Sequence, residues 1–261
     1  LIHNPSSPPL ILRGGKFLYN MNGLLRCSRY AFGPNRLHYC GPDANSEISA
    51  YIQNRVADPG LEVLLKAFQT MYPYLQLIAS ANLIADPFDD KVVEAYWLGN
   101  DLLKAVEKKK FCQHLLDAQK IKKRSGRAAF DQIVQKVLQG AVPQHSFHAF
   151  NVWKRTGRLE QEHTLESMDS CRISWGKIEK IDGPFITVST QPLECLGNKL
   201  MLGHAISKKV SRTFGADIDL EALKVGDLVS MHWGVICEKI TPTQAANLKK
   251  YTLKHLAFVS L

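Results

Sequence analysis

The hydrophobic period of this chain changes once, and that change limits its architecture more than any other feature. Before about residue 140 apolar side chains recur every three or four positions; from residue 169 they alternate. Helical and extended segments bury different faces, so one pattern does not substitute for the other. Helices gathered in one half and strands in the other predict an α+β chain rather than a βαβ weave.

The helical half is best marked by "PGLEVLLKAFQTMYPYLQLIASAN", where Leu61, Leu64, Leu65, Phe68, Met71, Tyr72 and Leu75 form one continuous stripe. In "ADPFDDKVVEAYWLGNDLLKAV", Asp86 is expected to cap a helix with Pro87 at its first position. Asp89 and Asp90 then fall in its first turn. Val92, Val93, Tyr96, Trp97, Leu102 and Leu103 face the core in this reading, and further helices are expected over 45–56, 108–122 and 128–139.

The alternating half opens with "CRISWGKIEKIDGPFITVSTQPLEC", two runs broken by the turn signal "DGP". "NKLMLGHAI" supplies another strand and "VGDLVSMHWGVICEKI" a longer one. Thr241 then caps a terminal helix with Pro242 in its first turn, docking Leu248, Tyr251, Leu253 and Leu256 on the sheet. The expected fold is an N-terminal α-helical bundle followed by a small OB-like or SH3-like β-barrel with a C-terminal helix. The expected divisions are a flexible extension over 1–22, a helical domain over 23–155, a linker over 156–168 and the barrel with its helix over 169–261.

Length and composition narrow the class. The 261 residues suffice for one large domain or two modest ones, and 45% hydrophobic with 22% charged residues is ordinary globular content. No apolar run reaches membrane-spanning length, and the N-terminus makes a poor export signal. The six cysteines contain no CxxC pair, which argues against a zinc ribbon or iron–sulfur cluster of the usual spacing and for reduced thiols in a cytoplasmic protein. Part of the +9 net charge sits in 104–127, where nine Lys and Arg face only Glu107 and Asp117. That run is expected to be a solvated helix face followed by a basic loop, a surface that also suits an acidic partner.

The chemistry-bearing residues fall in three places. In the long strand, Val229, Met231, Trp233, Val235 and Cys237 alternate onto one face, leaving Ser230, His232 and Gly234 on the other. The small neighbours of His232 argue against a core-filling role, whereas Cys237 reads as a buried small hydrophobe. "RYAFGPNRLHYCGPD" holds His38 and Cys40 between two Gly-Pro turns. "PQHSFHAFNVW" sets His145 and His148 three apart, on one side of any helix. These four are secondary candidates.

Cys171, Gly176 and Lys177, followed by Gly226, Asp227, His232, Gly234, Glu238 and Lys239, reproduce a family spacing without a gap. The segment resembles the HypC/HupF family of nickel–iron hydrogenase maturation chaperones over roughly 170–255. "RYAFGPNRLHYCGP", "AYWLGN" and "CRISWGK" taken together also resemble an uncharacterised bacterial and archaeal family associated with hydrogenase gene neighbourhoods. The first resemblance implies that Cys171 and His232 hold or hand over iron carrying cyanide and carbon monoxide, which suits a thiolate and an imidazole. It also implies a partner, the hydrogenase large-subunit precursor or the maturation scaffold protein, met by Trp175, Gly176, Lys177, Trp233 and Gly234. Two departures stand out: Cys171 is internal and has no free α-amine, and Trp175 occupies a position where the family commonly has proline. Iron handling further requires the sulfur of Cys171 and the imidazole of His232 to meet at an accessible rim of the C-terminal module.

Two other classes compete. A nucleic-acid-binding barrel would stack bases on Trp175, Trp233 and Phe185, but these strands are poor in Lys and Arg. An enzyme would need His38, Cys40, His145 and His148 to converge on a pocket.

Overall fold

Several helices start at side chains able to cap them. The chain is described by a computed structural model over residues 22–152, 155–156, 161–162, 164–212 and 218–259. The Asn22 side chain accepts the Leu24 N–H and opens α1 (Gly23–Asn35); α2 (Asn45–Asn54) follows. Asp58 accepts two N–H groups to open α3 (Pro59–Lys66), with Pro59 in its first turn. Then come α4 (Met71–Ala81), α5 (Asp90–Trp97), a 3-10 turn over Asp101–Ala105, α6 (Lys108–Asp117) and α7 (Ile121–Leu138). The helical half closes with the single turn α8 (His145–Phe147) and a π-turn over His148–Val152.

Two expectations about these helices need correction. The stripe from Leu61 to Leu75 is broken between Lys66 and Met71. Phe68 fills the space under Gly41 there, and the Gln119 amide donates to the freed Thr70 carbonyl at 3.0 Å. The cap expected at Asp86 acts three residues later: Asp89 accepts the Lys91 N–H and starts α5, while Asp86 only holds the Phe88 N–H in a turn. In the basic run the charges are exposed as expected; Lys122, Lys123 and Arg124 are helical, and the loop expected there is reduced to a break at Gly126 (φ 84°) that divides α7 into two helical stretches.

The expected linker is also structured where it is described. β1 (Arg155–Thr156) pairs with β2 (Gln161–Glu162), and Thr164 caps α9 (Leu165–Cys171), so Cys171 ends a helix. Residues 1–21 of the expected extension, and 157–160 and 163 of the expected linker, lie outside the described residues.

The C-terminal half contains β3 (Ser174–Asp182), β4 (Phe185–Thr190), a side hairpin of β5 (Leu193–Leu196) and β6 (Lys199–Leu202), and β7 (Ile206–Ser211). The short α10 (Ile218–Glu221) precedes β8 (Leu228–His232), β9 (Val235–Lys239) and α11 (Pro242–Leu256). Five strands close in the order β3-β4-β7-β9-β8. The run read as one long strand is therefore a hairpin. Trp233 (φ 50°) and Gly234 (φ 73°) both turn left-handed at its tip, the backbone of a type I′ turn. A tryptophan there carries none of the usual turn chemistry.

Thr241 caps α11 with Pro242 in its first turn, as expected, and Gln244 completes a reciprocal capping box. Leu248, Tyr251 and Leu256 are buried beneath it, but Leu253 is exposed. Ile178, Ile186, Val188, Val229 and Ile236 of the barrel belong to the same continuous core as Ile48, Leu61, Leu75 and Val92 of the helices. Each such side chain contributes about 1.5–3 kcal/mol by burial. The two halves thus share one interior. No described helix is long and apolar enough to cross a membrane.

Candidate functional site

The face of β8–β9 opposite the barrel interior is covered by α1. Arg26, Tyr30 and Gly33 lie along one side of that helix at four- and three-residue spacing. Gly33 rests on the His232 carbonyl, where a Cβ would collide with backbone. Arg26 Nε donates to Glu238 Oε1 at 2.9 Å, and Nη1 lies 2.9 Å from Asp90 and 3.3 Å from Glu94. The Tyr30 hydroxyl donates to Glu238 at 2.7 Å and meets the Ser230 hydroxyl at 2.8 Å. Ser230 and Glu238 are themselves cross-strand partners. This buried network fixes the helical half to the hairpin that carries His232.

The Tyr30 carbonyl then orients the histidine. His232 Nδ1 lies 2.6 Å from that oxygen, and a carbonyl can only accept, so Nδ1 carries the proton. Nε2 is left as a bare lone pair, and it has no hydrogen-bond partner among the described residues. Burial lowers the imidazole to about 4, so it is neutral at ordinary pH.

Cys171 reaches the same place from α9. The Trp233 N–H donates to the Ser170 carbonyl at 2.9 Å, tying the helix end to the hairpin tip. Next to it Arg172, fully buried, clamps Asp169 at 2.7 Å. His145 completes the group. One ligand atom from each of His145, Cys171 and His232 lies within 4.8 Å of the other two. The rings of His145 and His232 are 5.1 Å apart, and Trp97 sits 4.6 Å from the first and 5.6 Å from the second.

The sequence pairs Cys171 with His232, and the structure brings them together; the accessible rim it expects is not there. Cys171 is 3% exposed, His232 2% and His145 6%. They line a narrow, mostly buried cavity with Cys40, His148, Tyr39, Phe68, Met71, Tyr96 and Trp97, with about 30 Å³ open to the centre of a water-sized sphere. That is room for one or two small molecules. The cover exists because the hairpin face read as unobstructed is the face that α1 needs.

The remaining candidates divide. His145 and His148 do share a side: His145 Nδ1 lies 3.2 Å from the Tyr96 hydroxyl, and His148 Nδ1 lies 3.2 Å from the Tyr74 hydroxyl. Cys40 lines the cavity too, outside the three-donor group. His38 does not join them. It is 57% exposed and pairs with Asp43 at 3.0 Å. Gly176 is buried, with Ser189 and Val188 so close that a Cβ would clash, so its place is in strand packing and not on a partner face. Lys177 is exposed, Trp175 is half-buried 5.9 Å from the Arg172 guanidinium, and Trp233 is half-buried against Tyr39 at 4.6 Å. Trp175 and Phe185 stand at opposite ends of the β3–β4 ladder and do not form one stacking platform.

The chemistry of the donors is specific. Desolvation pushes the Cys171 thiol up to about 12 and the Cys40 thiol up to about 11, and neither is an activated nucleophile. Desolvation also holds His145 well below its ordinary value. A neutral imidazole with a free lone pair beside a thiol fits a thiophilic transition metal, which displaces the thiol proton on binding. His232 offers an unpartnered nitrogen for this, and the Cys171 sulfur, which meets the Trp233 side chain, stands beside it. His145 donates Nε2–H to the Cys171 carbonyl at 2.8 Å and would give up its Tyr96 contact to ligate through Nδ1.

Tyr30, Tyr96, Trp97, Arg26 and Glu238 shape the site without having been candidates. Glu238 alone carries a signal, as the polar position of the His-containing spacing; the aromatic pair in "AYWLGN" reads only as core.

No curated protein and no solved structure gives a significant match to the chain. A family model does, over residues 19–261, and this chain accordingly belongs to the family of unknown function DUF6390.

Proposed function

We propose that this protein is an accessory factor in hydrogenase maturation, a binding and delivery protein whose cargo is an iron fragment carrying cyanide and carbon monoxide. The convergence of Cys171 and His232, with His145 beside them, is the observation that carries the reading. Two protein donors leave most of the coordination sphere for diatomic ligands and for a partner's cysteine, unlike a closed four-ligand structural site. The five-stranded ring supports the OB-like description of the barrel. Burial adds a requirement that an open rim would not: the cover formed by Tyr39 and Trp233 has to part for cargo to move. The partner in this reading is the large-subunit precursor or the maturation scaffold.

The test is purification from a hydrogenase-producing host, with iron quantified and infrared bands of metal-bound cyanide and carbon monoxide recorded. Wild type is expected to carry iron and to recover the partner. Cys171→Ala and His232→Ala are expected to lower iron content by more than about tenfold. Iron-free wild type with equal partner recovery in all three samples would overturn the delivery role.

A further inference from the structure

The narrow cavity has a neighbour. An open cleft of about 810 Å³, on the same measure, is bounded by Tyr39–Pro42, Ala67, Gln69, Thr70 and Pro73, with Lys120 and Arg124 on its far wall. Cavity and cleft share Tyr39, Cys40 and Thr70. Of these three, Cys40 alone offers a soft metal donor.

We propose that Cys40 is a relay ligand, the thiol through which a thiophilic metal ion passes between the open cleft and the buried donors Cys171 and His232. The inference rests on the metal-handling reading and adds a route to it. Three observations carry it. The threshold position is the first. The second is the bare Nε2 of His232, a buried nitrogen without a partner among the described residues, on a side chain that borders the cavity and belongs to the three-donor group. The third is how firmly the loop sets the thiol. The buried Asn35 amide donates to the Cys40 carbonyl at 2.9 Å and to the Pro42 carbonyl at 2.6 Å. Left-handed His38 (φ 57°) and Gly41 (φ 85°) bracket the cysteine, and Gly41 lies so close to the Phe68 ring that no Cβ fits.

The transfer balances without any oxidant. On arrival the metal–Cys40 Sγ bond forms, and the Cys40 proton passes to the carrier ligand that the metal leaves. In the second step the metal–Cys40 bond breaks as the metal–Cys171 bond forms, and the proton leaving Cys171 ends on Cys40. His232 Nε2 joins with its lone pair and moves no proton. Among the described residues the cleft lining carries Lys120 and Arg124 and no carboxylate, so it favours a metal delivered in an anionic complex over a bare aqueous cation.

Cobalt(II) presented as an anionic aminopolycarboxylate chelate, under anaerobic conditions, supplies a probe with visible thiolate-to-metal absorption. Wild type is expected to load, with Cys40→Ser and Cys40→Ala loading at least about tenfold more slowly to an end-point affinity within about threefold. Cys171→Ala is expected to keep a weaker cobalt–thiolate band that disappears in the Cys40→Ala/Cys171→Ala pair. Unchanged loading rates in the Cys40 variants, or loss of end-point affinity along with rate, would overturn the relay. So would absence of the band in Cys171→Ala, a measurement that stands even if the Cys40 variants do not fold. Failure of wild type to load at all would overturn the metal site itself and the relay with it.

Discussion

Glu238→Ala is expected to destabilise the protein by about 3–5 kcal/mol, because it strands the guanidinium of Arg26 in the interior with its Glu238 partner removed. Arg26 keeps its contacts to Asp90 and Glu94, both partly exposed, but loses the one carboxylate that is buried with it. The Tyr30 hydroxyl loses its acceptor in the same step. Removing both charges should hurt less than removing one. The pair Arg26→Met/Glu238→Leu is expected to recover much of the loss, since a buried ion pair often contributes little beyond an apolar replacement of similar volume. Chemical denaturation of wild type, Glu238→Ala and the Arg26→Met/Glu238→Leu pair measures this. A Glu238→Ala loss below about 1 kcal/mol would show that the network does not hold the halves together.

Acidification is the second large effect. His255 is fully buried and uses both ring nitrogens in the neutral form: Nδ1 meets the Ser146 hydroxyl at 2.7 Å, and Nε2 accepts the Val142 N–H at 3.4 Å. Burial, with a smaller contribution from Lys254, lowers it to about 3; burial lowers His114 to about 4. In the unfolded chain both titrate near about 6.5. Below that pH the unfolded state takes up protons that the folded state refuses. Stability is therefore intact above about 6.5 and is lost as pH falls toward the folded values. Each histidine contributes a slope of about 1.4 kcal/mol per pH unit, so the two together remove about 4 kcal/mol between pH 7 and 5. His145 and His232 act in the same direction. Against a typical total of about 5–15 kcal/mol, this places unfolding in mild acid. Denaturation midpoints measured from pH 8 to 5 should fall steeply, and His114→Gln and His255→Gln, whatever their own cost, should flatten the slope. A flat profile would mean that these histidines are not held neutral.

Much of the fold is legible because it depends on local chemistry. The switch of period, the "DGP" turn at Gly183, and the Thr241–Gln244 cap all act within a few residues. What escapes the sequence is set at a distance. The break between Lys66 and Met71 carries no proline or glycine; within it Phe68 packs under Gly41, which belongs to another part of the chain. The turn at Trp233 breaks the rule that glycine or asparagine takes such positions, so alternation runs straight through it on paper. The pairing of Cys171 with His232 is readable from one family spacing, but His145 comes from another element and no spacing ties it to them. Burial of the site was least legible. Nothing in "GDLVSMHWGVICEKI" shows that a helix two hundred residues upstream will close over it.

The separation of Arg26 from Glu238, 212 positions along the chain, has a consequence for how the protein is made. A ribosome adding about 5–20 residues per second leaves roughly 10–40 s between the emergence of the arginine and that of its carboxylate. Throughout that interval the nascent N-terminal portion holds a cation whose final resting place has not been synthesised. The docking of α1 on the β8–β9 hairpin is therefore completed only after Glu238 emerges, and a chain halted before that residue leaves Arg26 with its partly exposed partners Asp90 and Glu94 and without its buried one.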